Sequence, residues 1–290
     1  MSPNKTELIE KYADNLSKSD NSKYYLKYAT DYLMHAPTLS RDSIESYLDS
    51  LRTKGHKPGT VNLVFRIIRR LYNVNSLPWE YRQGEAPAIG QRDEYRPQLS
   101  PEIIETLINA AKTGKLKPTE ATFLALSTTY GLRREEMSNL STTDLHLSNK
   151  AIYIATVKHG RERYHMVPPE IDKYLAAHNF EEEVSVGMLS HMFKRILVRS
   201  GIGQLKDQKI GWHSIRRALL DGSINNGIST LAMMKFLRWK GAAGAMAMPM
   251  RYFGNTVIGL KEEKPMLEEA KGDEEVFEKH PFLPFWRDNG

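Results

Sequence analysis

The sequence predicts a mainly α-helical protein with one small antiparallel β-sheet, an α+β chain arranged in two domains. Three observations lead there. Apolar residues recur at three- and four-residue steps along most of the chain, as in Ile44, Tyr47, Leu48 and Leu51, the period of a helix with one buried face. Between 143 and 168 that period gives way to strand-like alternation. The stretch 77–97 holds three prolines and two glycines, shows neither period and reads as a linker. At 290 residues the chain is long enough for two hydrophobic cores.

The elements follow in order. Residues 6–76 read as about four short helices, "TELIEKYADNL", "NSKYYLKYATDYLMHA", "SRDSIESYLDSLRTKG" and "KPGTVNLVFRIIRRLYNV", a small helical module spanning 1–76. After the linker, Ser100 is a natural N-cap and Pro101 suits the first helical position, launching "EIIETLINAAKTG". A second helix begins at Pro118 and stops near Gly131, a residue suited to a left-handed cap. "AIYIATV" and "YHMVP", rich in β-branched and aromatic residues, flank the polar turn "KHGRER" as a hairpin. Helices resume near 186. The second domain is placed at 98–258, with an acidic, aromatic tail at 259–290.

Composition narrows the function. No run approaches the ~18 apolar residues of a membrane span, and the N-terminus lacks the apolar centre of a signal peptide, so a cytoplasmic, nucleoid-associated location and no membrane partner are expected. The chain has no cysteine, which removes disulfides, thiolate zinc sites and cysteine nucleophiles. Net charge is +6, yet residues 261–290 hold 5 Lys/Arg against 9 Asp/Glu, so the remainder carries +10. A basic body suggests a polyanionic partner. Arg66, Arg69 and Arg70 share one helix face behind Lys54, His56 and Lys57; they form either a solvated face or a set of DNA phosphate contacts.

Five features carry chemistry, and their order matters more than any one of them. "GLRREEMSNL" places Glu136 one turn after Arg133, Lys158 sits at the hairpin turn, and "HSIRR" puts His213 and Arg216 on one helical face. Trp239 and Tyr252 follow. Two guanidiniums suit the nonbridging oxygens of a phosphate as charge builds in a phosphoryl transition state. A phenol titrating near ~10 needs a base or a cationic field to act as nucleophile, and a histidine near ~6.5 can assist. Lysine can protonate a leaving oxygen.

In these motifs the chain resembles the tyrosine recombinases of the phage integrase family, in detail over 100 to about 255. The resemblance implies a helical core-binding domain followed by a tyrosine-recombinase catalytic domain, with a duplex held between them. It implies Arg133 and Arg216 as phosphate clamps, Glu136 as a supporting carboxylate, Lys158 as general acid, His213 as acid/base residue and Trp239 as a positioning donor. Tyr252 would be the nucleophile, forming a 3'-phosphotyrosyl link without metal, cofactor or ATP. Double-stranded DNA with specific recombination sites and a homotetramer on that DNA, monomer or weak oligomer without it, are the implied partners. The chain departs from the family in reading "LRW" where Leu-Gly-His is usual, and in the longer segment before Tyr252.

Other readings stay open beside it. "GAAGAMAMP" and Tyr252 suit a loosely packed arm for a nucleophile, or a plain surface loop with an anchoring tyrosine. Arg161 and Arg163 rival Lys158 or contact DNA backbone. Phe282, Leu283, Phe285 and Trp286 either pack on their own domain or dock on a neighbouring protomer. A type IB topoisomerase-like enzyme and a noncatalytic helical DNA-binding regulator are the alternative functions.

Overall fold

The structure, a computed structural model, describes residues 4–16, 22–82, 85, 98–156, 162–239 and 270–287. The chain divides into two compact units, Met1–Tyr95 and Arg96–Gly290.

In the first unit four helices, α1 (Lys5–Leu16), α2 (Ser22–His35), α3 (Arg41–Thr53) and α4 (Pro58–Val74), close around one core. Its logic is visible in α4, where Val61, Val64, Phe65, Ile68, Leu71 and Tyr72 line the buried side at three- and four-residue steps. The Tyr32 and Tyr72 hydroxyls meet at 2.6 Å inside that core, so neither phenol is buried unpartnered. α3 starts at Ser40, whose hydroxyl accepts from the Ser43 N–H, and α4 starts on Pro58, which gives up no helical hydrogen bond at that position.

The unit extends beyond residue 76. Tyr81 is buried, Trp79 packs partly buried against the same core, and the Phe65 ring stands 5.5 Å from Trp79 and 5.1 Å from Tyr81. Residues 77–82 therefore belong to the helical unit rather than to a linker, because two large aromatic rings find apolar partners there that outweigh the local effect of Pro78.

The second unit is built around α6 (Pro118–Tyr130), buried on every side from Glu120 to Tyr130. α5 (Pro101–Lys112), α8 (Pro169–Ala176), α9 (Val186–Arg199) and α10 (Trp212–Asn225) pack on it. Gly131 ends α6 with φ 58°, the left-handed conformation glycine adopts at least cost. α7 (Arg134–Ser138) follows, then a three-stranded antiparallel sheet of β1 (Leu145–His146), β2 (Ala151–Ile154) and β3 (Arg163–Met166). β2 and β3 are the two strands of the expected hairpin. β1 adds an edge of two residues, too short to leave any period in the sequence. Ile152 opposes His165 and Ile154 opposes Arg163, so these four side chains share one face of the sheet.

α11 (Thr230–Phe236) leads to Trp239, and the chain is described again from Ala270 through α12 (Glu274–Glu278) and α13 (Leu283–Trp286). Here the tail packs on its own unit. Val276, Phe282, Leu283 and Trp286 join the second core, and Trp286 Nε1–H donates to Thr128 Oγ1 at 3.0 Å on α6. Among the described residues no helix is long and apolar enough to cross a membrane.

Candidate active site

Three segments converge where α6 ends. Arg133 precedes α7, and its backbone N–H and Nη1 donate to Glu136 Oε2 and Oε1 at 3.0 and 2.6 Å. Glu136 is buried completely, whereas the Arg133 side chain keeps 21% of its surface exposed. The carboxylate therefore takes its ligands from inside and turns a guanidinium towards solvent.

Arg216 rises from α10 into the same place. It is 3% exposed and donates through Nη1 to the Gly131 carbonyl at 2.5 Å and through Nη2 to the Leu237 carbonyl at 2.6 Å. Its guanidinium carbon lies 5.6 Å from the Trp239 ring centre, within range of a cation–π contact. Burial first, then the nearby Arg238 and Arg133 guanidiniums, push the Arg216 pKa down to about 9, leaving it cationic at neutral pH. His213, one turn earlier on α10, is exposed. With Arg134, Lys194 and Lys209 it lines a cleft of about 290 Å³.

Behind these residues lies a buried ionic chain. Arg238 is 0% exposed and donates through Nη2 to Glu136 Oε2 at 2.9 Å and through Nη1 to His165 Nε2 at 3.0 Å. A guanidinium has only hydrogens to give, so His165 accepts at Nε2 and carries its proton on Nδ1, which donates to Asp273 Oδ2 at 2.9 Å. Asp273 also accepts from the Met166 N–H at 3.1 Å and from Arg163 Nη2 at 2.9 Å. Burial, against the pull of Asp273, sets the His165 pKa at about 4, so the imidazole is neutral at pH 7. Burial works to raise the Glu136 pKa, but Arg238, the Arg133 N–H and Arg216 outweigh it and hold the carboxyl below its ordinary value.

The profile of the phage integrase family matches residues 97–252, more than half of the chain. The chain belongs to the phage integrase family. It has the tyrosine recombinase fold. A Tn1549 transposon integrase in complex with transposon right end DNA is 14% identical, with a TM-score of 0.64 over 92% of this chain and 98% of that one. A lambda integrase tetramer bound to a Holliday junction is 13% identical, with a TM-score of 0.63 over 86% and 77% of the two chains. A lambda integrase dimer bound to a COC' core site gives 14% identity and a TM-score of 0.61 over 81% and 95%. No curated protein matches the sequence.

In this integrase the structure brings Arg133, Glu136, Arg216 and Trp239 together, with His213 on the same helix as Arg216. Lys158, Arg161 and Tyr252 lie outside the described residues. Arg163 departs from the DNA contact expected of it: its side chain is 13% exposed and its guanidinium is held by Asp273, since β3 turns it to the core-facing side of the sheet. In the first unit Lys54 and Lys57 are exposed and His56 half-buried between α3 and α4, and Arg66, Arg69 and Arg70 are exposed along α4. Arg70 is partly committed within its unit, donating to Asn15 Oδ1 at 2.9 Å and to the Asn15 carbonyl at 3.3 Å.

Sequence reading missed Arg238 and Asp273. The signal for Arg238 was the departure itself: it stands second in "LRW", where the family usually has glycine, and takes φ 58°, the conformation glycine favours. Asp273 is one of the 9 acidic residues of the tail, and nothing in its neighbourhood distinguishes it.

Proposed function

We propose that this integrase cuts and rejoins DNA at specific sites through a covalent 3'-phosphotyrosyl intermediate, with Tyr252 as nucleophile. One observation carries the reading. Four guanidiniums, on Arg133, Arg163, Arg216 and Arg238, face two carboxylates, on Glu136 and Asp273, leaving an excess of two positive charges in a largely buried place. Such an excess is unfavourable until an anion arrives. It suits the pentacoordinate transition state of a phosphodiester, whose charge approaches minus two, better than the singly charged ground state.

The steps balance without an energy source. The Tyr252 hydroxyl loses its proton, with His213 as the assigned acceptor, and its oxygen bonds to phosphorus. The bond from phosphorus to the 5' oxygen breaks, and Lys158 protonates that oxygen. Arg133 and Arg216 hold the nonbridging oxygens throughout, and the Trp239 indole donates a hydrogen bond but takes no proton. The diester bond energy stays in the phosphotyrosyl link, so a hydroxyl from a second duplex can reverse the step. The exposed basic residues of α4 and its preceding turn are assigned to DNA backbone contact. A homotetramer on DNA is the assigned assembly, as in the lambda integrase complex on a Holliday junction.

A pool of nicked duplexes of randomised sequence tests this, because cleavage near the nick frees a short 5'-hydroxyl fragment and traps the adduct. Wild type is expected to give a denaturant-resistant protein–DNA adduct that maps to Tyr252, and Tyr252→Phe to give none. DNA binding without any adduct would overturn the reading in favour of a regulator. Relaxation of supercoiled plasmid with no recombinant product would favour a topoisomerase.

A further inference from the structure

We propose that Arg238, clasped to Asp273 through His165, is a positioning residue for Arg133, so that seating the C-terminal segment 270–287 sets the cleavage rate. The inference rests on the recombinase reading for what that rate measures.

The geometry leads there stepwise. Glu136 is the only acidic partner of Arg133 in the described site, and it meets Arg133 with Oε1 while sharing Oε2 between the Arg133 N–H and Arg238. Losing Arg238 would free one side of the carboxylate to rotate, and Arg133 would turn with it. Arg238 is in turn fixed by His165 Nε2 and by the Phe236 carbonyl at 3.2 Å. His165 keeps the accepting nitrogen towards Arg238 only while Nδ1–H is held by Asp273, 108 residues further along the chain. Asp273 and Arg238 therefore bracket residues 239–272 in sequence while meeting across one imidazole. A left-handed position normally left to glycine is occupied here by an arginine whose guanidinium joins Glu136 to His165.

The test compares wild type, Arg238→Met, Arg238→Lys, Asp273→Asn and Glu275→Gln, the last removing an exposed acid two residues from the clasp. Adduct formation on the randomised nicked duplexes is measured at saturating DNA, with DNA Kd and Tm alongside. Arg238→Met and Asp273→Asn are expected to slow adduct formation at least tenfold with Kd within twofold of wild type, Arg238→Lys to recover part of the loss, and Glu275→Gln to match wild type. Equal, measurable rates in all five, or a loss that follows Kd or Tm alone, would overturn the proposal. Titration with inorganic phosphate, read by 31P line width, is independent of cleavage: weaker phosphate binding in Arg238→Met and Asp273→Asn is expected, and unchanged or undetectable binding overturns the proposal. A wild type that binds phosphate as expected yet forms no adduct overturns the recombinase reading instead.

Discussion

Arg238 and Glu136 meet at 2.9 Å with both side chains wholly excluded from solvent. A buried ion pair of this kind adds little net stability over an apolar replacement, yet removing one partner leaves a charge with no counterion. Glu136→Ala would strand Arg133, Arg216 and Arg238 together. We expect it to lower unfolding free energy by about 3–5 kcal/mol, measured by urea titration, and to abolish adduct formation. A loss under about 1 kcal/mol would mean that water reaches the cluster and screens it.

Gly131 joins α6 to the first arginine box with φ 58°. A Cβ there would lie 2.9 Å from Leu237 Cδ2, 3.2 Å from Leu219 Cδ2 and 3.3 Å from Arg216 Cγ. Gly131→Ala thus meets both backbone strain and crowding, and should cost about 1–3 kcal/mol. Arg216 must shift to make room, so cleavage at saturating DNA should fall further than the change in Tm accounts for. Wild-type cleavage in this variant would show that the Arg216 position is not critical.

The tail holds the core together from outside. Trp286 is 1% exposed, and its indole both fills the space against Tyr174, with ring centres 4.7 Å apart, and donates to Thr128. Trp286→Ala is expected to destabilise the second unit by about 3–5 kcal/mol. Trp286→Phe keeps most of the volume and loses the hydrogen bond, so about 1–2 kcal/mol is expected. Two calorimetric scans decide the order.

Acid should weaken the protein through its buried histidines. His280 accepts the Phe282 and Leu283 N–H groups at Nδ1, at 3.1 and 3.0 Å, so Nε2 carries the proton given to the Thr129 carbonyl. Burial, partly offset by that carbonyl, lowers its pKa to about 4, and His165 also lies at about 4. An unfolded histidine titrates near ~6.5, so the unfolded chain takes up protons first as pH drops. This contribution is whole above pH ~6.5 and is lost towards pH ~4. From pH 7 to 5 the loss should be about 2 kcal/mol for each histidine, and Glu136, held below its ordinary pKa, adds in the same direction. Urea midpoints at the two pH values, with imidazole resonances followed by NMR, test it; flat stability would refute it.

The sequence by itself determined most of the helices, the hairpin, the family and the order of Arg133, Glu136, His213, Arg216 and Trp239, because helix period, helix starts at Pro101 and Pro118, and motif spacing are local properties. It missed α7 and α8, of five and eight residues, which are too short to establish a period, and helices resume at Pro169 rather than near 186. Only the tertiary structure decided that Tyr81 completes the first core, that Arg163 turns inward to Asp273 and that the tail packs on its own unit. It also decided what replaces the usual glycine in "LRW". Those outcomes depend on partners such as Asp273 and His165, 108 positions apart, and which acid meets which base across such a separation follows from how strands and helices pack. Charge pairing in a buried site is set by distance and desolvation, and neither quantity exists until the chain has folded.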